Sequence, residues 1–331
     1  MSILPSNLFL STIGGLFLIR YIYSLLRLVL ELTIIPGTNI QTFKSQNAST
    51  WALVTGATNG IGLEFARQLA AKRFNLILIG RRTAALELIA SDIGSKHHVE
   101  VKIVTVDVAD LESRTGAFSQ IEVMTRDLDL GVLINNVGAS VQMPVPFAES
   151  DPEEIENILQ TNLLWTIHLT RGLLPALIAR KPKSLILTIG SLNGRIPPPL
   201  TAVYGCTKGG LQIWSRALAE EVQNQGVTVY MVLAAFVVTN MSRIRRTSPF
   251  VPSPEVFVQS TLSSLGLPRG AQGRPYEMTP YWSHALADYA VGLFGYMSEI
   301  AAIKLVGNMH WSIRKRALNK KAREASRGKV E

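Results

Sequence analysis

The sequence predicts an α/β domain built on a doubly wound parallel sheet, and three observations carry that prediction. Short branched-aliphatic runs recur at Trp51–Thr55, Leu76–Ile79, Val101–Val106, Val132–Asn135, Leu185–Ile189 and Val227–Leu233. The stretches between them have helical length and pattern, and near-continuous apolar strands separated by helices imply a parallel sheet covered on both faces. The first run ends in a glycine-rich turn, Gly56-Ala57-Thr58-Asn59-Gly60-Ile61-Gly62. Right-handed crossovers between such strands give the doubly wound order.

In chain order, residues 1–50 come first as an anchor and linker. Leu8 to Leu26 holds nineteen residues with one charge, Arg20, and as a helix it spans roughly 28 Å, close to a bilayer core. The run lacks a basic n-region and a small-x-small cleavage site, so it reads as an uncleaved transmembrane anchor rather than a leader. A buried core helix is the competing reading, since Arg20 and the Gly14-Gly15 pair weaken the span. No Lys or Arg precedes the run and Arg27 and Lys44 follow it, which places the N-terminus in a lumen and the domain in the cytosol. A polar linker runs from Pro36 to Thr50.

The glycine turn is followed by a helix from Glu64 to Ala71. Glycines there let the backbone turn tightly and approach a pyrophosphate seated at the helix N-terminus. The spacing Gly-x-x-x-Gly-x-Gly differs from the general dinucleotide fingerprint and resembles that of the short-chain dehydrogenase/reductase superfamily, from about residue 50 onward. That superfamily has a Rossmann-type fold. The second strand ends in Gly80-Arg81-Arg82 with no acidic residue; arginine accommodates a ribose 2′-phosphate where a carboxylate would bond the 2′-hydroxyl. The cofactor expected is therefore NADPH. The resemblance implies cofactor contacts from Gly56, Thr58, Asn59, Gly60, Ile61 and Gly62, from Arg81 and Arg82, from Asp107 at the adenine, from Asn135, Asn136 and Gly138, and from Val237 and Thr239.

Tyr204 and Lys208 are four residues apart at the start of a helical stretch running to Val222, which sets them on one face. Ser191 ends the fifth strand, thirteen residues before the tyrosine, and Asn162 falls in a helical stretch over Glu153–Leu174. The resemblance makes these four a catalytic tetrad. Tyr204 is then the general acid, with its pKa lowered by the nearby Lys208 ammonium. Lys208 also bonds the nicotinamide ribose, Ser191 steadies the developing alkoxide, and Asn162 positions a water.

Further stretches narrow the resemblance: Pro144-Val145-Pro146-Phe147, Pro197-Pro198-Pro199, Met241-Ser242-Arg243-Ile244-Arg245-Arg246 and Met278-Thr279-Pro280-Tyr281-Trp282. With the N-terminal span they look like the microsomal very-long-chain 3-oxoacyl-CoA reductases. That family reduces a 3-oxoacyl-CoA with NADPH on the cytosolic face of the endoplasmic reticulum, beside other fatty-acid elongase subunits. The superfamily commonly pairs subunits as a homo-oligomer through the helices after the fourth and fifth strands. The chain departs from the family at Gly205-Cys206-Thr207, where Ser-Ala-Ser is usual, at Ala234-Ala235-Phe236, and at Leu192-Asn193-Gly194. These changes leave two alternatives open: a paralogue acting on a polyketide-like, sphingoid or steroid ketone, and a non-catalytic cofactor-binding scaffold.

The catalytic domain is expected over residues 51–235, a substrate lid and helical extension over 236–309, and a basic tail over 310–331. The segment Phe236–Pro280 is rich in Pro, Ser and Arg and reads as the lid, with Arg243, Arg245 and Arg246 able to face coenzyme A phosphates or plain solvent. Tyr289–Val306 reads as a helix resting on protein or membrane surface. Of the net charge of +9, residues 1–50 carry +2 and residues 310–331 carry +6. The globular part is nearly neutral, which argues against nucleic acid; the tail suits lipid headgroups or a solvated end. His97 and His98 sit in a turn without further ligands, so no metal is expected. Cys206 is the one cysteine, so no internal disulfide forms, and it reads as a packing residue.

Overall fold

Apolar side chains on both sides of each central strand produce a sheet that is buried on both faces. In the computed structural model, which describes residues 6–46, 49–295 and 298–327, strand β1 (Thr50–Thr55) sends Ala52 and Val54 to one face and Trp51 and Leu53 to the other. That alternation follows from the pleat. Strands β2 (Asn75–Gly80), β3 (Val101–Thr105), β4 (Asp129–Asn135), β5 (Ser184–Ile189) and β6 (Val227–Val232) fall on the apolar runs read from the sequence. The sheet is parallel throughout, in the order β3-β2-β1-β4-β5-β6-β7. The chain builds outward one way from β1 and the other way from β4, which opens a crevice at their carboxyl ends.

Helices α2 (Gly60–Ala71), α3 (Thr83–His97) and α8 (Pro254–Ser263) cover one face through Phe65, Leu69, Leu86, Ile93 and Phe257. Helices α4 (Leu111–Thr125), α6 (Trp165–Ala179) and α7 (Ala202–Val222) cover the other through Ile121, Trp165, Leu177 and Val222. The helical stretch expected over Glu153–Leu174 is three pieces: α5 (Pro152–Leu159), a π-helical turn over Gln160–Leu164, and α6.

The expected lid, Phe236–Pro280, divides. Residues 236–250 run over the crevice, whereas α8 buries Phe257, Val258 and Leu262 in the core and the two-residue strand β7 (Glu277–Met278) joins the sheet beside β6. Apolar residues at positions 257, 258 and 262 give α8 a core-facing stripe, so that half of the segment is scaffold. The apolar run over 289–306 is likewise broken, into α9 (Trp282–Gly295) and α10 (Glu299–Arg327). Helix α10 carries the basic tail as far as residue 327, and residues 328–331 lie outside the described part. It packs across the loops after β4 and β5: His310 Nδ1 lies 2.7 Å from the Pro199 carbonyl, and Arg314 donates to Pro144 O and Glu149.

Helix α1 (Ser6–Thr33) is longer than the expected span. Its apolar stretch covers 26 residues, Leu8–Thr33, long and apolar enough to cross a membrane by length and composition. Its last turns dock on the domain. Leu28 and Glu31 are buried, and the Glu31 carboxylate accepts from Arg27 Nε at 2.7 Å, from the Arg269 backbone N–H at 2.7 Å and from Gln272 Nε2 at 3.0 Å. The polar linker is tied down as well. Gly37 and Thr38 donate backbone bonds to Ser263 and Leu265, and Ile40 and Phe43 enter the core. Glu31→Ala leaves the Arg269 N–H and the Gln272 amide unpaired in a buried place, so we expect a loss of about 2–4 kcal/mol, seen as a lowered thermal midpoint of the detergent-solubilised protein; an unchanged midpoint would show that the dock does not stabilise the domain.

Candidate active site

At the end of β1 the chain turns through Gly56 (φ 65°) and Gly60 (φ 57°), left-handed conformations that favour glycine. Gly62 has no room for a side chain: a Cβ there would sit 2.3 Å from Gly56 O. The close approach brings the start of α2 against the turn, and α2 begins without a side-chain cap. Its first N–H groups are left for an anion. Asn136 holds the turn from below, with Nδ2 donating to Thr55 O at 3.0 Å. Thr58 and Ile61 are half-buried and Asn59 is exposed along the turn. Arg81 and Arg82 are exposed at the end of β2; Arg82 reaches Thr58 O at 3.4 Å and the Arg81 guanidinium has no partner among the described residues. Thr239 closes the crevice from the β6 side, its methyl 3.2 Å from where a Cβ on Gly60 would be. Val237 is buried beneath that loop. These residues fit the pyrophosphate and ribose of a dinucleotide.

One expected contact, Asn135, lies differently. Asn135 is buried, and its amide donates inward to Thr170 at 2.9 Å; it braces β4 against α6, and the crevice-facing work passes to Asn136. Asp107 is exposed and uses its carboxylate to accept from Ala109 N at 3.0 Å, fixing the turn after β3.

The tetrad converges at the other end of the crevice. Tyr204 and Lys208 share one face of α7, with Lys208 Nζ 5.9 Å from the centre of the phenol ring. Ser191 caps the turn after β5 and hydrogen-bonds the Tyr204 hydroxyl. Lys208 is buried and donates to Ile189 O at 2.9 Å. Asn162 sits in the π-helical turn, a feature frequent at functional sites. Its side chain accepts from Ala139 N at 2.6 Å and donates to Ala139 O and to Thr207 Oγ1. The side chain thus pins the loop after β4 and ties it to α7 through Thr207. Gly138 lies between the two: a Cβ there would be 3.4 Å from Asn162 Oδ1 and 3.8 Å from Lys208 Nζ.

Comparison with known proteins decides the family. Residues 50–249 match the short chain dehydrogenase model. Very-long-chain 3-oxoacyl-CoA reductase of Pyrenophora tritici-repentis is 41% identical over 305 residues, 92% of this chain and 88% of the relative. The protein of that name from Coprinopsis cinerea is 42% identical over 320 residues, 96% and 92% of the two chains. The chain belongs to the short-chain dehydrogenases, in the branch of the very-long-chain 3-oxoacyl-CoA reductases. A solved short-chain dehydrogenase from Sphingobium yanoikuyae in complex with NADPH superposes with a TM-score of 0.61 at 27% identity, covering 76% of this chain and 96% of that one. Membership makes the chain an oxidoreductase with a nicotinamide-cofactor fold.

Several residues of this family site escaped the sequence reading. Thr207 steadies Asn162, and Gln212 donates to Ser191 O at 3.0 Å; both stand on the Tyr204 helix at spacings that keep them near its catalytic face, which was the available signal. Arg195 leaves the Ser191 turn and pairs with the fully buried Asp288 of α9 at 3.1 Å, a long-range contact without a local signature. Cys206 is exposed and points away from the tetrad's packed side.

The electrostatics correct one expectation. The Tyr204 phenol is pushed up, not down, because burial outweighs the Ser191 hydrogen bond that favours its anion. The Tyr204 phenol is therefore protonated at neutral pH. Burial pushes Lys208 down to about 8, so its ammonium exists below that pH and is lost above it. With cofactor saturating, ketone reduction is expected to hold steady up to about pH 7 and then fall, toward about tenfold per pH unit beyond an apparent pKa near 8. A pH profile of kcat/KM checks this, and a rate still rising at about pH 9 contradicts it.

Proposed function

We propose that this chain reduces long or very long 3-oxoacyl-CoA to (3R)-3-hydroxyacyl-CoA with NADPH, as the ketoreductase step of fatty-acid elongation. The observation that carries the substrate class is the extent of the likeness: the family model ends at residue 249, yet relatives at about two-fifths identity are matched over 92–96% of the chain. The substrate-facing elements after β6 are included. The cofactor, when bound, supplies hydride to the substrate carbonyl. Tyr204 gives its proton to the carbonyl oxygen, Ser191 donates to that oxygen as charge develops, and the Lys208 ammonium stabilises the phenolate left behind. Asn162 holds the loop that backs the site.

The unpartnered Arg81 and the exposed Arg82 support NADPH over NADH, since each guanidinium can bracket a 2′-phosphate. The apolar helix α1 supports a single-pass anchor in the endoplasmic reticulum membrane with the domain in the cytosol. Elongase subunits and a second copy of the chain are the partners this role calls for. One observation favours a variant of the reading. Gly205, where the family has serine, packs against Pro198 so closely that a Cβ would lie 2.4 Å from Pro198 Cγ. The wall beside Tyr204 therefore admits glycine and not a larger residue, and a polyketide-like, sphingoid or steroid ketone is the second reading.

Membranes containing the protein should oxidise NADPH with 3-oxoacyl-CoAs, increasingly with chain length. Tyr204→Phe should lower turnover by about 10²–10⁴-fold while keeping NADPH binding. Silence on every acyl-CoA, or an active phenylalanine variant, would overturn the assignment. Replacing Arg81 and Arg82 together by alanine should raise KM for NADPH by about tenfold or more and leave that for NADH unchanged; parallel changes for both cofactors would contradict the 2′-phosphate role.

A further inference from the structure

We propose that Arg243, Arg245 and Arg246 form the site that takes the phosphates of the substrate's coenzyme A nucleotide; this rests on the reading of the substrate as an acyl-CoA. The chain leaving β6 crosses the whole crevice. Thr239 touches the glycine turn, and two residues on the Met241 Cε lies 3.7 Å from where a Cβ on Gly138 would be, beside Lys208 Nζ and Asn162 Oδ1. Met241 thus roofs the catalytic end, and the three arginines follow at its rim.

The turn that presents them is pinned. Ser242 Oγ donates to Val237 O at 2.6 Å and accepts from the backbone N–H of Thr239 and Ile244. Arg243 takes the left-handed conformation (φ 56°) with its N–H on Thr239 O. Farther on, Val238 donates to Pro252 O and Tyr281 to Pro249 O. Long side chains on a fixed turn lose less freedom on binding than those on a loose loop.

The three guanidinium groups are exposed and, among the described residues, have no hydrogen bond or ion pair. Several arginines elsewhere in the domain are matched, Arg180 to Asp129, Arg274 to Glu277 and Asp288, Arg314 to Glu149. Three unmatched charges within four residues, at the mouth of a site in a nearly neutral domain, are the pattern of an anion site awaiting its ligand. The chemistry supplies that ligand. With the 3-oxo group at Tyr204, the pantetheine arm leads outward and its nucleotide, with a pyrophosphate and a 3′-phosphate, lands at the rim. Guanidinium forks suit such oxygens. The cofactor's own phosphates belong to the glycine turn and the end of β2.

The test compares wild type with Arg245→Ala/Arg246→Ala and with a triple variant that adds Arg243→Asn, since asparagine tolerates the left-handed turn. Assays in neutral detergent use a 3-oxoacyl-CoA and the N-acetylcysteamine thioester of the same acid, which carries no phosphate. The preference for the CoA ester over the thioester, as the ratio of kcat/KM, is expected to fall about tenfold or more through KM, with KM for NADPH not rising in parallel. An unchanged ratio overturns the proposal, as does a shared loss on both substrates or a matching loss for NADPH. Variants that keep the ratio yet lose binding to phosphatidylserine vesicles would assign the arginines to lipid headgroups instead. If wild type reduces no CoA ester, the proposed function fails separately, and calorimetry with coenzyme A itself decides the phosphate site: tight binding lost in the triple variant sustains it, and equal binding sinks it.

Discussion

One hydroxyl holds together the place where everything happens. Thr55 Oγ1 donates to Ile134 O at 3.2 Å and accepts from the backbone N–H of Asn136 and of Val137 at 2.9 and 3.0 Å. Its donor and both lone pairs are in use, and they bind the carboxyl end of β1 to that of β4 where the strand order reverses. From this joint Asn136 reaches the glycine turn, and the same stretch of chain runs on to Gly138 and Ala139 against Lys208 and Asn162. The two halves of the crevice, the glycine turn and the Tyr204–Lys208 end, therefore share a single fixed frame. A loss at Thr55 would be felt at both ends.

A second set of contacts ties the C-terminal elements to that frame. Asp288 on α9 is fully buried between Arg195, Arg274 and the Thr279 hydroxyl. Arg195 stands four residues after Ser191, so α9 is fastened to the catalytic turn by a charge that would cost about 3–5 kcal/mol if stranded. His284, one turn earlier, accepts from Ala235 N at 3.3 Å and lies 3.2 Å from Phe236 O. Burial pushes its imidazole down to about 4, so it stays neutral and keeps an acceptor for the backbone. This grip falls on Ala234-Ala235-Phe236, one of the stretches where the chain departs from the family. A side chain from α9 thus fixes, by hydrogen bonding, the start of the loop that carries Thr239 and Met241.

What the sequence disclosed, and what it hid, divides by range. Strands β1 to β6 were legible because each is a contiguous apolar run, and Tyr204 with Lys208 because four residues make a helical turn. Strand β7 has two residues and exists only because β6 offers it an edge; no local pattern marks it. The docking of Glu31, 238 residues in sequence from Arg269, and of Ile40 and Phe43 looked like a polar linker because its composition is mostly polar. The inward turn of Asn135 and the outward one of Asn136 follow from strand alternation, which a motif read as a unit conceals. The direction of the Tyr204 shift was missed for a related reason: proximity of the lysine is written in the spacing, while burial is not.

That last point bears on how the proposed mechanism, with Tyr204 as acid, would work. An acid with a depressed pKa would share its proton with solvent before the ketone arrived. Tyr204, raised by burial, retains it, and in the proposed mechanism the energy that makes release feasible would come at the moment of transfer. Lys208 is placed for that. Its ammonium is already desolvated, held at about 8 and bound to a backbone oxygen, so in the proposed mechanism it would meet a new phenolate through protein, where the same charges attract several-fold more strongly than they do through water. The burial that raises the resting pKa of the acid is thus the same burial that strengthens its stabilisation in the transition state. Differential stabilisation of this kind accelerates the chemical step, whereas a tyrosine merely acidified at rest would gain little.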